Sequence, residues 1–354
     1  MSAKSNNLSK AKLEKNDEFY TKLSDIENEL KYYKDHFKNK VVFCNCDDPF
    51  ESNFFKYFAM NFNALHLKKL IATSYTGSPI VGKDLSYFIN SNNSEKIQNK
   101  KAYKVTMSEL NDTNNDGRTD LEDVEEIIKH RIRYLNGDGS FQSEESIELL
   151  KDADVIVTNP PFSKAIEFIS LLFKYNKLFL IIGDLNWISN KDVFRLLKEN
   201  KIWLGNTSVK EFMQPSGETK KFGNKCWFTN LDILKRHSFI ELYKKYDPID
   251  YPKYDNYNAI EVSKVSEIPD DYYDVMGVPI TFINSYNPEQ FEILGRRGDL
   301  EWAENECSFF TPPSKEHQEK YKKLNNTWRV QNTYLLTNDG IPKITYARIF
   351  IRRK

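Results

Sequence analysis

"DVIVTNPPFSKAIEFISLLFKYNKLFLIIGD" runs from Asp154 to Asp184, and its reading sets the fold class. Val155–Thr158 is a short apolar, β-branched run, which predicts a strand buried on both faces. "AIEFISLLFKYN" from Ala165 carries apolar positions at helical spacing, and "KLFLIIGDLNWI" from Lys177 returns to a buried strand. Strand, helix and strand in this order predict a parallel pair joined by a right-handed crossover.

The alternation extends in both directions. "KVVFCN", "LKKLIATSY", "KAYKVTMSEL", "KIWLGN" and "KCWFTN" read as further strands. "IENELKYYKDHF", with Asp25 as its N-cap, "ESIELLKDA" and "KDVFRLLKEN" read as helices. The expectation is an α/β fold with a mostly parallel central sheet. After about Asn230 the alternation is lost, and Tyr, Pro and Asp become frequent in a less regular C-terminal region. There, "NPEQFEIL" from Asn287 reads as an N-capped helix with Pro at its first position.

Lys and Arg together number 51, as do Asp and Glu, so net charge neither supports nor excludes nucleic acid. No apolar run approaches membrane-span length and no signal-peptide pattern opens the chain, so no membrane partner is expected. Cys44, Cys46, Cys226 and Cys307 make no paired framework and read as reduced thiols of a cytoplasmic protein. Residues 1–16, with Lys4, Lys10, Lys12 and Lys15, read as a disordered basic tail.

In an open α/β sheet, ligands bind outside the carboxyl ends of the strands. Asn159, Pro160, Pro161 and Phe162 fall at such an end. Asn159 offers a side-chain carbonyl, Pro160 a backbone carbonyl without an N–H, and the Pro-Pro pair stiffens the chain. Two fixed acceptors beside one aromatic face suit a planar heterocycle that bears an exocyclic amino group. The competing reading is a strand that simply ends in a Pro-terminated turn. Upstream, "CNCDDPF" places Asp47 and Asp48 at another strand tip, where carboxylates can hold an ammonium or ribose hydroxyls. No glycine-rich phosphate loop is present, so a cofactor without phosphate is preferred, and S-adenosylmethionine fits. The plainer reading of the two aspartates is a helix start with Pro49 in its first turn.

"NDEFYTKLSDIENELKYYKDHF", "VVFCNCDDPFESNFFKYFA", "IELLKDADVIVTNPPF", "ENKIWLGN", "YPKYDNY" and "MGVPITF…YNPEQFEIL" occur in this order between residues 16 and 294. Together they resemble the EcoRI-type adenine-specific DNA methyltransferases. The resemblance implies a Rossmann-like, gamma-type amino-methyltransferase fold over residues 17–230, with an insertion at about 76–136, and a DNA target-recognition region over 231–354. It implies methyl transfer from S-adenosylmethionine to the N6 amino group of an adenine flipped from double-stranded DNA. Such an enzyme is either solitary or paired with a cognate restriction endonuclease that acts on the same site without direct contact.

By similarity, Phe19, Tyr20 and Thr21 would form the N-terminal cofactor segment, and Asn45, Cys46, Asp47, Asp48 and Pro49 the cofactor loop. Asn159, Pro160, Pro161 and Phe162 would be catalytic, and Trp227 and Phe228 would line the target-base pocket. Asp138 and Phe141 would meet the cofactor's adenine. Two segments depart from the pattern: "LIATSYT" offers Thr73 and Ser74 where an acidic ribose ligand is usual, and "GDGSF" has Ser140 where an acid is expected. Lys210, Lys220, Lys221, Lys225, Arg348 and Arg352 are candidates for DNA contact.

"DTNNDGRTDLED" matches a calcium-loop pattern, with oxygen ligands at Asp112, Asn114, Asp116, Asp120 and Asp123 and the carbonyl of Arg118. The expectation is a structural Ca2+ site; the alternative is an Asx-rich turn that caps the next helix. For the whole chain, two further readings stand beside the DNA enzyme. One is an RNA or protein-glutamine methyltransferase with the same NPPF chemistry. The other is a non-catalytic DNA-binding relative.

Overall fold

A computed structural model describes residues 20–77, 101–112, 121–213, 218–255, 257–296, 314–325, 334–336, 342–344 and 347–354. The chain divides into two compact units, residues 1–194 with 202–233, and residues 195–201 with 234–354. The N-terminal tail and Phe19 lie outside the described residues, as does the 113–120 stretch.

In the first unit, nine strands form one sheet among the described residues. In chain order they are β1 (Tyr20–Thr21), β2 (Val41–Cys44), β3 (Lys69–Thr73), β4 (Tyr103–Met107), β5 (Ile132–Tyr134), β6 (Val155–Thr158), β7 (Leu178–Asp184), β8 (Trp203–Met213) and β9 (Thr219–Thr229). Their spatial order is β1-β8-β9-β7-β6-β2-β3-β4-β5. The central four, β3-β2-β6-β7, are parallel, with Val42 opposite Val155 and Ile156 opposite Phe179. The flanks, β4-β5 on one side and β9-β8-β1 on the other, run antiparallel.

The parallel strands are covered on both faces, which is why they read as unbroken apolar runs: every residue of β2 and β6 is buried. The α-helices described up to residue 213 are α1 (Leu23–Leu30), α2 (Lys34–Phe37), α3 (Asn53–Met60), α4 (Leu121–Arg131), α5 (Glu144–Asp152), α6 (Ala165–Lys174) and α7 (Lys191–Lys198), and two short 3-10 turns, Phe162–Lys164 and Leu185–Ser189, follow β6 and β7. The strand before NPPF, the helix after it and the next strand are all as expected, with α6 bridging β6 and β7. The "IENELKYYKDHF" stretch is two helices rather than one, and Lys22, not Asp25, holds the N-cap position of α1. Helix α3 is capped by Ser52, whose hydroxyl accepts from the Phe54 N–H. Its face of Phe54, Phe55 and Phe58 enters the core with Leu30, Phe37 and Trp227.

In the second unit, β10 (Ile260–Glu261), β11 (Met276–Pro279), β12 (Phe291–Arg296) and β15 (Arg348–Arg353) form a sheet in the order β10-β11-β15-β12. A separate pair joins β13 (Tyr334–Leu336) and β14 (Pro342–Ile344), and α8 (Lys315–Asn325) lies between β12 and β13 in the chain. The "NPEQFEIL" stretch is a turn leading into β12, not a helix. Asn287 still uses its side chain as a cap, accepting from the Glu289 N–H, but the run after it pairs with β15 instead. Tyr254, Tyr257, Ala259, Val275, Leu294 and Phe350 make a buried cluster, with Tyr257 stacked on Phe350 at 4.7 Å.

Candidate active site

The parallel pairing of β2 with β6 brings two loops from distant parts of the chain to one edge. After β2 come Asn45, Cys46, Asp47, Asp48 and Pro49; after β6 come Asn159, Pro160, Pro161 and Phe162. They are tied directly. The Cys46 N–H donates to the Thr158 hydroxyl at 3.2 Å, and that hydroxyl donates to the Asp47 carboxylate. The backbone N–H of Asn159 also reaches Asp47, and Ser52 donates to its other oxygen at 2.7 Å. Burial pushes the Asp47 carboxyl up to about 6, although these hydrogen bonds oppose the shift.

Asp48 is equally engaged. The Tyr103 hydroxyl reaches both of its oxygens, at 2.8 and 2.7 Å, and the Phe50 N–H donates to one of them at 2.9 Å. Both carboxylates hold the loop together from within. The hydrogen-bonding groups left over lie beside them. Thr21 Oγ1 and Asn45 Nδ2 are buried and meet no hydrogen-bond partner among the described residues. Thr21 reaches this region because β1 pairs with β8, and its carbonyl accepts from Asn53 at 2.7 Å. Of Tyr20 only the backbone is described.

At the tip of β3, Thr73 and Ser74 are buried. Thr73 donates to the Asn45 carbonyl, and Ser74 exchanges hydrogen bonds with the Tyr103 backbone. Neither is held out as a ribose ligand, whereas Tyr75 is exposed. The "GDGSF" loop docks here: the Asp138 carbonyl accepts from the Thr76 N–H at 2.9 Å. Gly139 makes the approach possible. Its φ is +76°, and a Cβ there would strike the Ser74 carbonyl oxygen and lie 2.8 Å from Ala102 Cβ. Asp138 is exposed, with its carboxylate accepting from the Ser140 N–H. Phe141 is buried edge-on against Phe168 at 5.1 Å, in the body of the fold.

Asn159 is half-buried with its Oδ1 enclosed, Pro160 is buried, and Pro161 and Phe162 are half-buried. The Phe162 ring stands edge-on to Trp187 at 6.4 Å and to Phe212 at 6.2 Å. Trp187 in turn lies 5.4 Å from Phe228. Gly183 permits that contact, because a Cβ there would overlap the Trp187 ring and come within 2.5 Å of Phe228 Cδ2. Trp227, its neighbour on β9, points to the other face and is a core residue against Phe54 at 5.8 Å, with no exposure. Phe228 is equally without exposure, and of the two aromatics it is the one that packs on Trp187, which in turn meets Phe162.

Trp187 and Phe212 were not singled out by their sequence positions. The signal was available for Trp187, since "GDLNWI" closes the strand next to NPPF, at the same carboxyl edge. Lys225 and Arg348, candidates for DNA contact, are both buried: Lys225 pairs with Asp184 at 2.8 Å, and Arg348 with Glu261 at 3.0 Å. Arg352 pairs with Glu292 at 2.7 Å.

Of the calcium-like loop, Asn114, Asp116, Arg118 and Asp120 lie outside the described residues; Asp112 is half-buried and Asp123 is fully buried in the first turn of α4. Among the described residues, no group of three or more His, Cys, Asp or Glu side chains could hold a metal, and nothing there supports Ca2+. Among them, too, no helix is long and apolar enough to cross a membrane.

Comparison with known proteins agrees with this arrangement. A family model described as "Adenine-specific methyltransferase EcoRI" matches residues 7–354. The chain is 44% identical over 327 residues to the Type II methyltransferase M.EcoRI of Escherichia coli, covering 86% of this chain and 94% of that protein. It is 37% identical over 306 residues to M.MgeORF184P of Mycoplasma genitalium and 36% over 307 residues to M.MpnI of Mycoplasma pneumoniae, covering 80% of this chain and 84% of the relative in each case. No solved structure matches. With nearly its whole length matched and its NPPF loop at the carboxyl edge of a parallel sheet, the chain belongs to the EcoRI family of adenine-specific methyltransferases.

Proposed function

We propose that the chain methylates the N6 amino group of an adenine flipped from duplex DNA, with Asn159 and Pro160 as the groups that hold that amino group. The observation that carries the reading is the tie between the two loops: Asp47 bonds Thr158 and Asn159, so the cofactor loop and the NPPF loop form one hydrogen-bonded unit. S-adenosylmethionine, when bound, supplies a methyl group on a positively charged sulfur. The buried Thr21 hydroxyl and Asn45 amide, both without protein partners among the described residues, fit the polar end of such a molecule.

The amino nitrogen of adenine is a poor nucleophile because its lone pair is delocalised into the ring. The Asn159 side-chain carbonyl and the Pro160 backbone carbonyl can accept its two hydrogens, which favours a tetrahedral nitrogen and frees the lone pair. Phe162 stacks on the base, which offsets part of the few kcal/mol needed to unstack it from the duplex. Positioning supplies most of the acceleration, and no covalent enzyme intermediate is needed. The region after residue 231 is assigned target recognition, and the enzyme is read as half of a restriction–modification pair. Its cognate endonuclease would act on the same DNA site without touching it.

Methylation-sensitive sequencing of DNA from cells expressing the chain is the test. One recurrent site with N6-methyladenine is expected, and Asn159→Ala should abolish it while retaining S-adenosylmethionine binding. Methylation on RNA or protein alone, or full modification by the Asn159 variant, would refute the reading.

A further inference from the structure

Lys225 is a buried cation beside a ring that the proposed mechanism uses. It stands opposite Asp184 in the β7–β9 ladder, and its side chain is 6% exposed. Its Nζ donates to Asp184 Oδ2 at 2.8 Å and lies 3.7 Å from the centroid of Phe162, with Phe222 at 5.2 Å. Asp184 is itself fixed: its other oxygen accepts from the Asn224 amide at 2.6 Å and from the Asn186 N–H at 2.8 Å.

Burying an ammonium is costly unless it is paired, and replacing a buried pair as a whole by apolar side chains is often neutral or stabilising, so stability alone does not account for this one. A cation over a ring face, by contrast, resists tilting of that ring, because the attraction falls off when the face turns away. Trp187 and Phe212 approach the same ring edge-on. The ring is thus held by contacts of different kinds, and Asp184 sets where the cation sits.

We propose that Lys225, anchored by Asp184, is a positioning residue that fixes the plane of the Phe162 ring on which the extruded adenine stacks. The proposal rests on the reading of Phe162 as the stacking ring. Lys225 touches the ring and not the reacting atoms, so its loss should slow methyl transfer without altering cofactor affinity.

The test uses the full chain with a duplex carrying the site found by methylation sequencing, and a second duplex with 2-aminopurine at the target position. Lys225→Met should lower single-turnover methylation about tenfold or more, with the KM for DNA and the Kd for S-adenosylmethionine within about twofold of wild type. A flipped base that stacks poorly is quenched less, so 2-aminopurine emission in the Met variant should exceed that of wild type. Lys225→Arg keeps the cation and the carboxylate partner and should restore most of the rate. Should Lys225→Met fail to fold, Asp184→Asn releases the ammonium and should show the same slower turnover and brighter emission. Wild-type rate and emission in Lys225→Met, or in Asp184→Asn where it replaces it, overturn the proposal. Phe162→Ala separates the two claims: if it leaves rate and emission unchanged, the stacking reading itself fails; if it is impaired while the Lys225 and Asp184 variants are normal, only the role of Lys225 does.

Discussion

The Asp47 carboxylate accepts the Thr158 hydroxyl, 111 residues away in the chain, and also the backbone N–H of the adjacent Asn159. One buried acid thereby sets the geometry between the loop after β2 and the loop after β6. Its protonation state must affect both stability and turnover, in opposite directions.

The sign for stability follows from the shift. Burial raises the folded-state pKa from 3.8 to about 6. A carboxyl that binds its proton more tightly when folded contributes most below its unfolded value, and that contribution is lost as pH rises through about 6. The change amounts to about 3 kcal/mol at 1.36 kcal/mol per unit. Asp47→Asn, which has no charge to bury, should therefore gain on the wild type between about pH 4 and about pH 7, as read from denaturant midpoints. Turnover runs the other way. Only the ionised carboxylate accepts from Ser52, Thr158 and Asn159 together, so kcat/KM should climb through about pH 6. Asp47→Asn should be slow at every pH and lack that limb; a limb that survives in the variant removes Asp47 from its origin.

Gly139 links the GDGSF loop to the β3 tip, and its positive φ makes it intolerant of a side chain. Gly139→Ala combines backbone strain of about 1–3 kcal/mol with a clash against the Ser74 carbonyl. The docking of Asp138 on Thr76 should loosen. Calorimetric titration should then show S-adenosylmethionine bound at least several-fold more weakly. Unchanged affinity would mean that this loop does not shape the cofactor site.

These two sites mark where the sequence was legible and where it was not. The strand before NPPF and the helix after it were readable because a two-sided buried strand and an amphipathic helix are local patterns. The hairpin was harder: β8 and β9 each run eleven residues, yet only the parts nearest the sheet centre looked like strands, since Thr219–Asn224 of β9 has no buried position and its polar residues carry no apolar pattern. Asn287-Pro288 offered the same cap chemistry to a helix or a turn, and pairing with β15 decided for the turn. The occupation of Asp47 by Thr158, of Asp48 by Tyr103 and of Lys225 by Asp184 could not be read locally. Each partner is at least 41 residues away, and sequence patterns report faces rather than partners.

Glu29 is a buried carboxylate with no exposure that holds α1 to β8. It accepts from the Tyr33 hydroxyl, the Asn206 and Thr207 N–H groups and the Thr207 hydroxyl, each at 2.7 Å. Glu29→Ala strands four donors, each costing about 1–3 kcal/mol if left unsatisfied, so a loss of about 3 kcal/mol or more is expected. Glu29→Gln keeps one acceptor and should lose less. A thermal midpoint within a degree or two of wild type for the Ala variant would contradict this account.

DNA affinity should divide the cations that sequence placed together. Lys210, Lys220 and Lys221 are exposed on the β8–β9 hairpin, where Lys221 stands 3.5 Å from Glu211. Arg348 is enclosed with Glu261 and Tyr254. If the hairpin lysines meet phosphates, changing all three to Ala should weaken binding across sequences. The dependence of log K on log salt should flatten by about 0.9 for each phosphate no longer neutralised. Arg348→Met should leave that slope alone and instead destabilise the fold, by about 3–5 kcal/mol, because Glu261 is left as an uncompensated buried charge. A salt slope unchanged in the triple variant would take the hairpin off the DNA, and a slope reduced by Arg348→Met in a stably folded protein would put that arginine back on it.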